Sequence, residues 1–203
     1  LNENFKIIKN FSIETKKIKN NKNCDILFKN LLKKDLNNNI LFSSVVPLIF
    51  NKIKLAFKKR KLKVMEIKDL NLKKLIKFRI NKINQIGSDR IANAIGSFNK
   101  YKTNCLVIDF GTATTFDIVK KPGVYEGGVI TPGINLSIIN LKQSTALLPK
   151  IDLKSDSKCY GKNTKDAINA GFIWGYQGLI NNIINKISLT SKTNYKIILT
   201  GGY

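Results

Sequence analysis

Between residues 105 and 119 an apolar run, Cys105 to Ile108, ends in Asp109; a glycine turn and a cluster of threonines follow, and a second apolar run closes at Val119. Leu106 to Ile108 is short, branched and uncharged, as a buried strand is, so the stretch predicts strand, turn, strand. Upstream, Phe5 to Ile8 and Phe11 to Glu14 predict short strands joined at Lys9-Asn10. Residues 25–34 carry Ile26, Leu27, Leu31 and Leu32 at helical spacing behind the acidic start Asp25. Residues 39–46 predict an apolar strand ending in Ser43-Ser44. Pro47 then opens a helix through Ile49, Ile53, Leu55 and Phe57 that closes on Lys58-Lys59-Arg60. Leu62 to Ile67 predicts another strand, and the lysine-rich residues 68–84 read as a solvated face.

Downstream, Ile91, Ala94, Ile95 and Phe98 recur at i, i+3, i+4, i+7, one apolar stripe on a helix from about Arg90 to Tyr101. Tyr125 to Ile130 predicts a strand, Thr131-Pro132-Gly133 a tight turn, and residues 134–148 return to helical spacing. A long helix starts at Gly161-Lys162-Asn163-Thr164, with the stripe Ile168, Phe172, Gly175, Leu179, Ile183 and Ile187. Gly171 and Gly175 lie four apart there and would let another backbone come close. Tyr195 to Thr200 predicts a last strand running into Gly201-Gly202. Strands alternating with helices give an α/β class, and no repeat of solenoid period is present.

At 203 residues, 43% of them hydrophobic, the chain suits one large or two small domains with a real core. Its best membrane-span candidate, Ile40 to Phe50, is too short to cross a bilayer. Cys24, Cys105 and Cys159 have neither disulfide nor zinc spacing, and histidine is absent, which fits a reduced, cytoplasmic setting. A net charge of +23 ordinarily suggests nucleic acid or an anionic membrane. Here Arg60, Arg79 and Arg90 are the only arginines among 36 basic residues, and Asn and Ile are abundant. Lys, Asn and Ile share A/T-rich codons, so a skewed genome accounts for the charge. The lysines are spread from Lys6 to Lys196 without an aromatic-interleaved patch, and neither a membrane nor nucleic acid is expected as a partner.

Several residues carry candidate chemistry. Gly111 can take backbone angles closed to other residues and lets a ligand approach the main chain, and the hydroxyls of Thr112, Thr114 and Thr115, with the N–H groups of its turn, suit phosphate oxygens. Asp109 repels phosphate and needs an intervening cation beside a nucleotide. A plain hairpin with β-favouring threonines accounts for the same residues equally well. Ser88 or Asp89 reads as a helix N-cap, or Asp89 as a general base with Arg90 binding an anionic part of the substrate. In a chain that uses lysine almost everywhere, an arginine beside that aspartate points to a wanted guanidinium fork. Gly161-Lys162-Asn163-Thr164 fails the phosphate-loop pattern, because Asn163 stands where Ser or Thr must follow the lysine and Asp156 where the leading glycine must be; Asn163 or Thr164 reads as a helix cap. Thr200-Gly201-Gly202 reads as a turn, with or without a nucleoside beside it.

Taken in order, Gly-Ser-Asp-Arg at 87–90, Asp-Phe-Gly-Thr-Ala-Thr-Thr at 109–115, Gly-Gly-Val-Ile-Thr-Pro-Gly at 127–133, Thr-Ala-Leu-Leu-Pro at 145–149, Gly-Lys-Asn-Thr at 161–164 and Thr-Gly-Gly at 200–202 resemble type III pantothenate kinase. Ser43-Ser44-Val45-Val46-Pro47 resembles that family's first domain. The resemblance implies two ribonuclease-H-like domains of the actin-like ATPase kind with a nucleotide cleft, here 1–103 and 104–203. It implies ATP-dependent phosphorylation of the primary hydroxyl of pantothenate, the first step of coenzyme A biosynthesis, rather than a non-catalytic regulatory or nucleic-acid-associated relative. By motif, Asp89 resembles the catalytic base, facing Asp109 across the nucleotide. Gly87, Ser88 and Arg90 would line the pantothenate site, and Thr164 would reach pantothenate from the partner subunit of a homodimer. Asp109 resembles the monovalent-cation ligand (K⁺ or NH₄⁺), with Mg²⁺ on the nucleotide phosphates. Thr112, with Gly111, resembles the ATP-phosphate contact, and Gly201 and Gly202 the turn near adenosine. Against the family pattern, an Asp-x-Gly-Asn-Thr motif and a final helix are missing, so the chain reads as a fragment expected to show little activity alone. Lys82-Ile83 takes the place of the usual Asn-Pro before Gly87.

Overall fold

A computed structural model describes residues 39–202 apart from 45, 60, 155 and 158. The strands expected at 5–8 and 11–14, the helix expected at 25–34, Cys24 and Arg60 lie outside the described residues. The chain divides into two compact units. Among the described residues, one holds 39–72 together with Gly87–Ala92, and the other holds Lys73–Ile86 and 93–202.

In the first unit, β1 (Asn39–Phe42) and β2 (Lys63–Glu66) pair in parallel, Asn39 opposite Lys63 and Phe42 opposite Glu66. A parallel pair needs a long crossover, which α1 (Pro47–Lys58) supplies. The helix starts on the proline because a first-turn N–H would be orphaned anyway, and it ends on the basic Lys58. Its inner face buries Ile53, Ala56 and Phe57 against Ile40, Phe42, Ile49, Leu62 and Val64. The strand expected through residue 46 stops at Phe42. Beyond it, Ser44 turns the chain by accepting the Val46 N–H at 3.1 Å.

The second unit is built on a five-stranded mixed sheet in the order β3-β6-β5-β4-β7. Its strands are β3 (Lys77–Phe78), β4 (Cys105–Phe110), β5 (Ala113–Lys120), β6 (Val124–Pro132) and β7 (Lys196–Gly201). The lysine-rich residues 68–84 break into short pieces, among them a single-turn α2 (Leu72–Leu75) and β3. β4, β5 and β6 form an antiparallel meander, while β3 joins β6 and β7 joins β4 in parallel. Three more helices follow: α3 (Ser88–Tyr101), α4 (Ile134–Gln143) and α5 (Thr164–Ser191). Leu106, Ile108 and Phe116, alternate positions on two paired strands, form one sheet face and pack against Ile187, Leu179 and Ile183 of α5. Residues 105–108 are buried without a break, as a strand covered on both faces requires.

Local reading and structure part in four further places. α3 begins at Ser88, so Ser88 and Asp89 are first-turn residues and not caps. β6 continues through Thr131 and Pro132, where a turn was expected, because Thr131 pairs with Thr114 and Pro132 with Ala113. α4 stops at Gln143, five residues short of Leu148. Gly171 and Gly175 of α5 admit no neighbouring backbone among the described residues: a Cβ added at either would meet nothing within 4 Å.

Candidate active site

Gly87 to Arg90 lie at the start of α3. The Gly87 carbonyl accepts the Ile91 N–H at 3.2 Å, closing the first helical turn. Ser88 is buried, and its hydroxyl donates to Glu66 Oε1 at 2.5 Å. Glu66 is the last residue of β2, so this bond fixes where α3 begins; the sequence reading missed Glu66. Asp89 is exposed, with Oδ1 accepting the Arg90 N–H at 2.8 Å, and Arg90 is half-buried. The carboxylate also complements the positive end of its helix.

Asp109 sits one residue from the end of β4. Its Oδ2 accepts Asn93 Nδ2–H at 2.7 Å, leaving Oδ1 on the side of Gly111. Asn93 escaped the sequence reading, although it stands four residues, one helical turn, beyond Asp89 in α3. Neither Asp89 nor Asp109 is sealed in hydrocarbon.

The turn after Asp109 is held from both sides. Gly202 N–H donates to Phe110 O at 3.1 Å, Gly133 N–H to Thr112 O at 3.0 Å, and Gly111 N–H to Ala113 O at 3.1 Å. Parallel pairing sets Phe110 opposite Gly201, bringing the two glycine turns expected at 109–112 and 200–202 side by side. Backbone freedom is used at different glycines from the one expected. Gly201 has φ +116°, and a Cβ on it would fall 2.4 Å from Phe110 O. A Cβ on Gly133 would fall 2.4 Å from both Gly111 O and Thr112 O. Gly111 itself has no positive φ, and a Cβ there would meet Ala113 O at 3.4 Å and Asp109 Oδ1 at 4.0 Å, ordinary contacts that the protein can accommodate. Thr112 is exposed at the tip of the turn. Thr114 is buried, and Thr115 lies within 3.4 Å of Asp117 Oδ2, to which it donates. Of the three threonines, Thr112 is the one presented to solvent.

Thr164 lies apart from that turn. It opens α5, where Asn163 is the cap: Asn163 Oδ1 accepts the Asp166 N–H at 3.0 Å, as the sequence predicts. Gly161 presses so closely on the first turn that any Cβ would strike Ala167 N. A cavity of about 340 Å³, lined by Lys154, Ser157, Tyr160, Gly161, Lys162 and Asn169, adjoins this end of α5. Lys154 Nζ, 3.0 Å away, and Asn163 Nδ2, 2.8 Å away, both donate to the Asp166 carboxyl and hold it below the usual carboxylate range. A second cavity, about 470 Å³, lies near Ile118, Lys120, Lys186 and Tyr195; none of the sequence-predicted site residues lines it.

The family model for type III pantothenate kinase matches residues 1–186. The chain is 50% identical over 199 residues to the type III pantothenate kinase of Pelagibacter ubique, covering 97% of this chain and 79% of that one. With the enzyme of that name from Koribacter versatilis it shares 47% identity over 118 residues, 58% of this chain and 43% of the relative. Among solved structures, one described as a conserved Baf family transcriptional activator from Campylobacter jejuni aligns with a TM-score of 0.53 and 22% identity, over 86% of this chain and 73% of that one. That likeness is one of fold.

Proposed function

This chain belongs to the type III pantothenate kinase family, and from that premise we propose how its residues carry the ATP-dependent phosphorylation of pantothenate, the first step of coenzyme A biosynthesis. The observation that carries the reading is the turn at Gly111-Thr112, pinned between Gly133 and Gly202 with Thr112 outward. Phosphoryl transfer asks for positioning and charge neutralisation more than for covalent help. A turn fixed on both flanks, with bare backbone at Gly111 and a hydroxyl at its tip, meets the first demand.

In this reading Thr112 and the Gly111 backbone bind an ATP phosphate, and Gly201-Gly202 lie near adenosine. Asp89 orients the primary hydroxyl of pantothenate and accepts its proton late. Gly87 lines that substrate and Arg90 takes its carboxylate, while Ser88, expected to line it too, is buried against Glu66 and holds the turn. The Glu66–Ser88 bond supports this by fixing the first turn of α3.

Asp109 fits a K⁺ or NH₄⁺ ion: it offers hard oxygen donors, one of them oriented by Asn93. Such an ion would screen the carboxylate from the nucleotide. Mg²⁺ fits on the ATP phosphates; among the described residues no group of three or more His, Cys, Asp or Glu is placed to cage a metal.

The finer architecture belongs to the same proposal: two ribonuclease-H-like domains near 1–103 and 104–203, the second supported by the meander followed by a parallel β7. So does a homodimer in which Thr164 serves the partner's pantothenate. Thr164 and Tyr176 lie about 18 Å apart along α5, and the latter contacts β6 beside the phosphate turn. Open space beside Gly171, Gly175 and Gly178, with Trp174 45% exposed, supports a neighbour on that helix. We place the protein in the cytoplasm; among the described residues no helix is long and apolar enough to cross a membrane.

The test is Asp89→Asn. Turnover should fall by about 10²–10⁴-fold, while pantothenate binding measured by calorimetry and the circular dichroism spectrum persist. Undiminished turnover in the variant would remove Asp89 from the chemistry.

A further inference from the structure

We propose that Tyr176, near the middle of α5, is a positioning residue for the phosphate turn; the inference rests on the assignment of Thr112 to an ATP phosphate. Its phenol O–H donates to the carbonyl of Pro132. A phenol has one proton. Thr114 Oγ1, 3.5 Å from the phenol oxygen, therefore has to be the donor in that contact. The chain of bonds runs from Thr114 through Tyr176 to Pro132, tying the start of β5 to the end of β6.

The location gives this tie its use. Thr114 is two residues past Thr112, and Pro132 immediately precedes Gly133, whose N–H holds Thr112 O at 3.0 Å. In the sheet, Ala113 stands opposite Pro132 and Thr114 opposite Thr131. Gly133 N–H bonds Thr112 O, so the next pair, Ala113–Pro132, is one that exchanges no backbone bonds, and the Pro132 carbonyl is left for Tyr176. Thr131 Oγ1 donates to Thr114 O at 3.3 Å, a side-chain bond at the same end of the ladder. Tyr176 adds its tie from outside the sheet. Strand ends fray with little cost unless something holds them. If β6 drifted here, Gly133 would move and Thr112 would lose its backing.

Tyr176→Phe keeps the ring and removes both bonds. The net worth of such bonds predicts a rise of about tenfold in the KM for ATP. The KM for pantothenate should stay within about twofold, and the melting temperature should fall by no more than about 2–6 °C. The dissociation constant of a non-hydrolysable ATP analogue, measured by calorimetry without turnover, should rise by the same factor. Thr114→Val removes only one link and should give a smaller shift in the same direction. Equal analogue affinity in wild type and Tyr176→Phe would overturn the inference. So would a fall in melting temperature with both KM values unchanged, which marks a structural role alone. Failure of the parent assignment looks different: in that case the wild-type protein binds no ATP analogue at all.

Discussion

At the scale of single residues, the site depends on which atoms are absent as much as on which are present. Gly201 is held at φ +116° against Phe110 O, a position closed to a side chain. Gly201→Ala should therefore destabilise the protein by roughly 1–3 kcal/mol, read as a drop in melting temperature of several degrees. Gly111→Ala should behave in the opposite way. Its added methyl has room in the protein, so stability should hold, but it fills the space allotted to a phosphate, and ATP-analogue affinity should fall. Equal effects of the two changes on stability would contradict this division of labour. Periodicity could not have told these glycines apart. The sequence reading put the conformational burden on Gly111, and the structure puts it on Gly201, because the need arises from a neighbouring strand.

At the scale of elements, helix starts carry the charged chemistry. α5 opens with Asn163 capping Asp166 and with Lys154 donating to the same carboxyl, so the folded protein holds the Asp166 pKa down. A depressed carboxylate contributes stability above its unfolded value, about 3.9, and that contribution disappears as pH falls through the lower, folded value. Asp166→Asn should narrow the difference in melting temperature between neutral pH and about pH 3 relative to wild type. An unchanged slope would show that the Lys154–Asn163–Asp166 group contributes nothing to the fold. The start of α3 differs: the Ser88 hydroxyl donates a hydrogen bond to Glu66, 22 positions upstream, and does not cap its own helix. The motif Gly-Ser-Asp-Arg was legible as a helix start, but its anchor was not, since Glu66 lies on another element.

At the scale of the whole molecule, the net charge of +23 makes a testable distinction. Affinity for DNA that comes from scattered lysines is released with counterions, so duplex binding measured by fluorescence anisotropy should weaken on the order of 10³-fold between 50 and 200 mM salt. Tight, sequence-selective binding that survives the titration would favour a regulatory protein over a kinase.

The order of strands and helices, the buried β4, the helix behind Pro47, the cap at Asn163 and the family motifs were all set by local sequence. Hydrophobic period, proline and capping chemistry act over a few neighbouring residues and can be read from them. The tertiary structure alone decided the site's supports: Glu66 on Ser88, Asn93 on Asp109, Gly133 and Gly202 on the turn, and Tyr176 on Pro132 and Thr114. These contacts join residues 16 to 92 positions apart. No local pattern records such a partner, because the bond exists only once strand order and register have brought the two residues together.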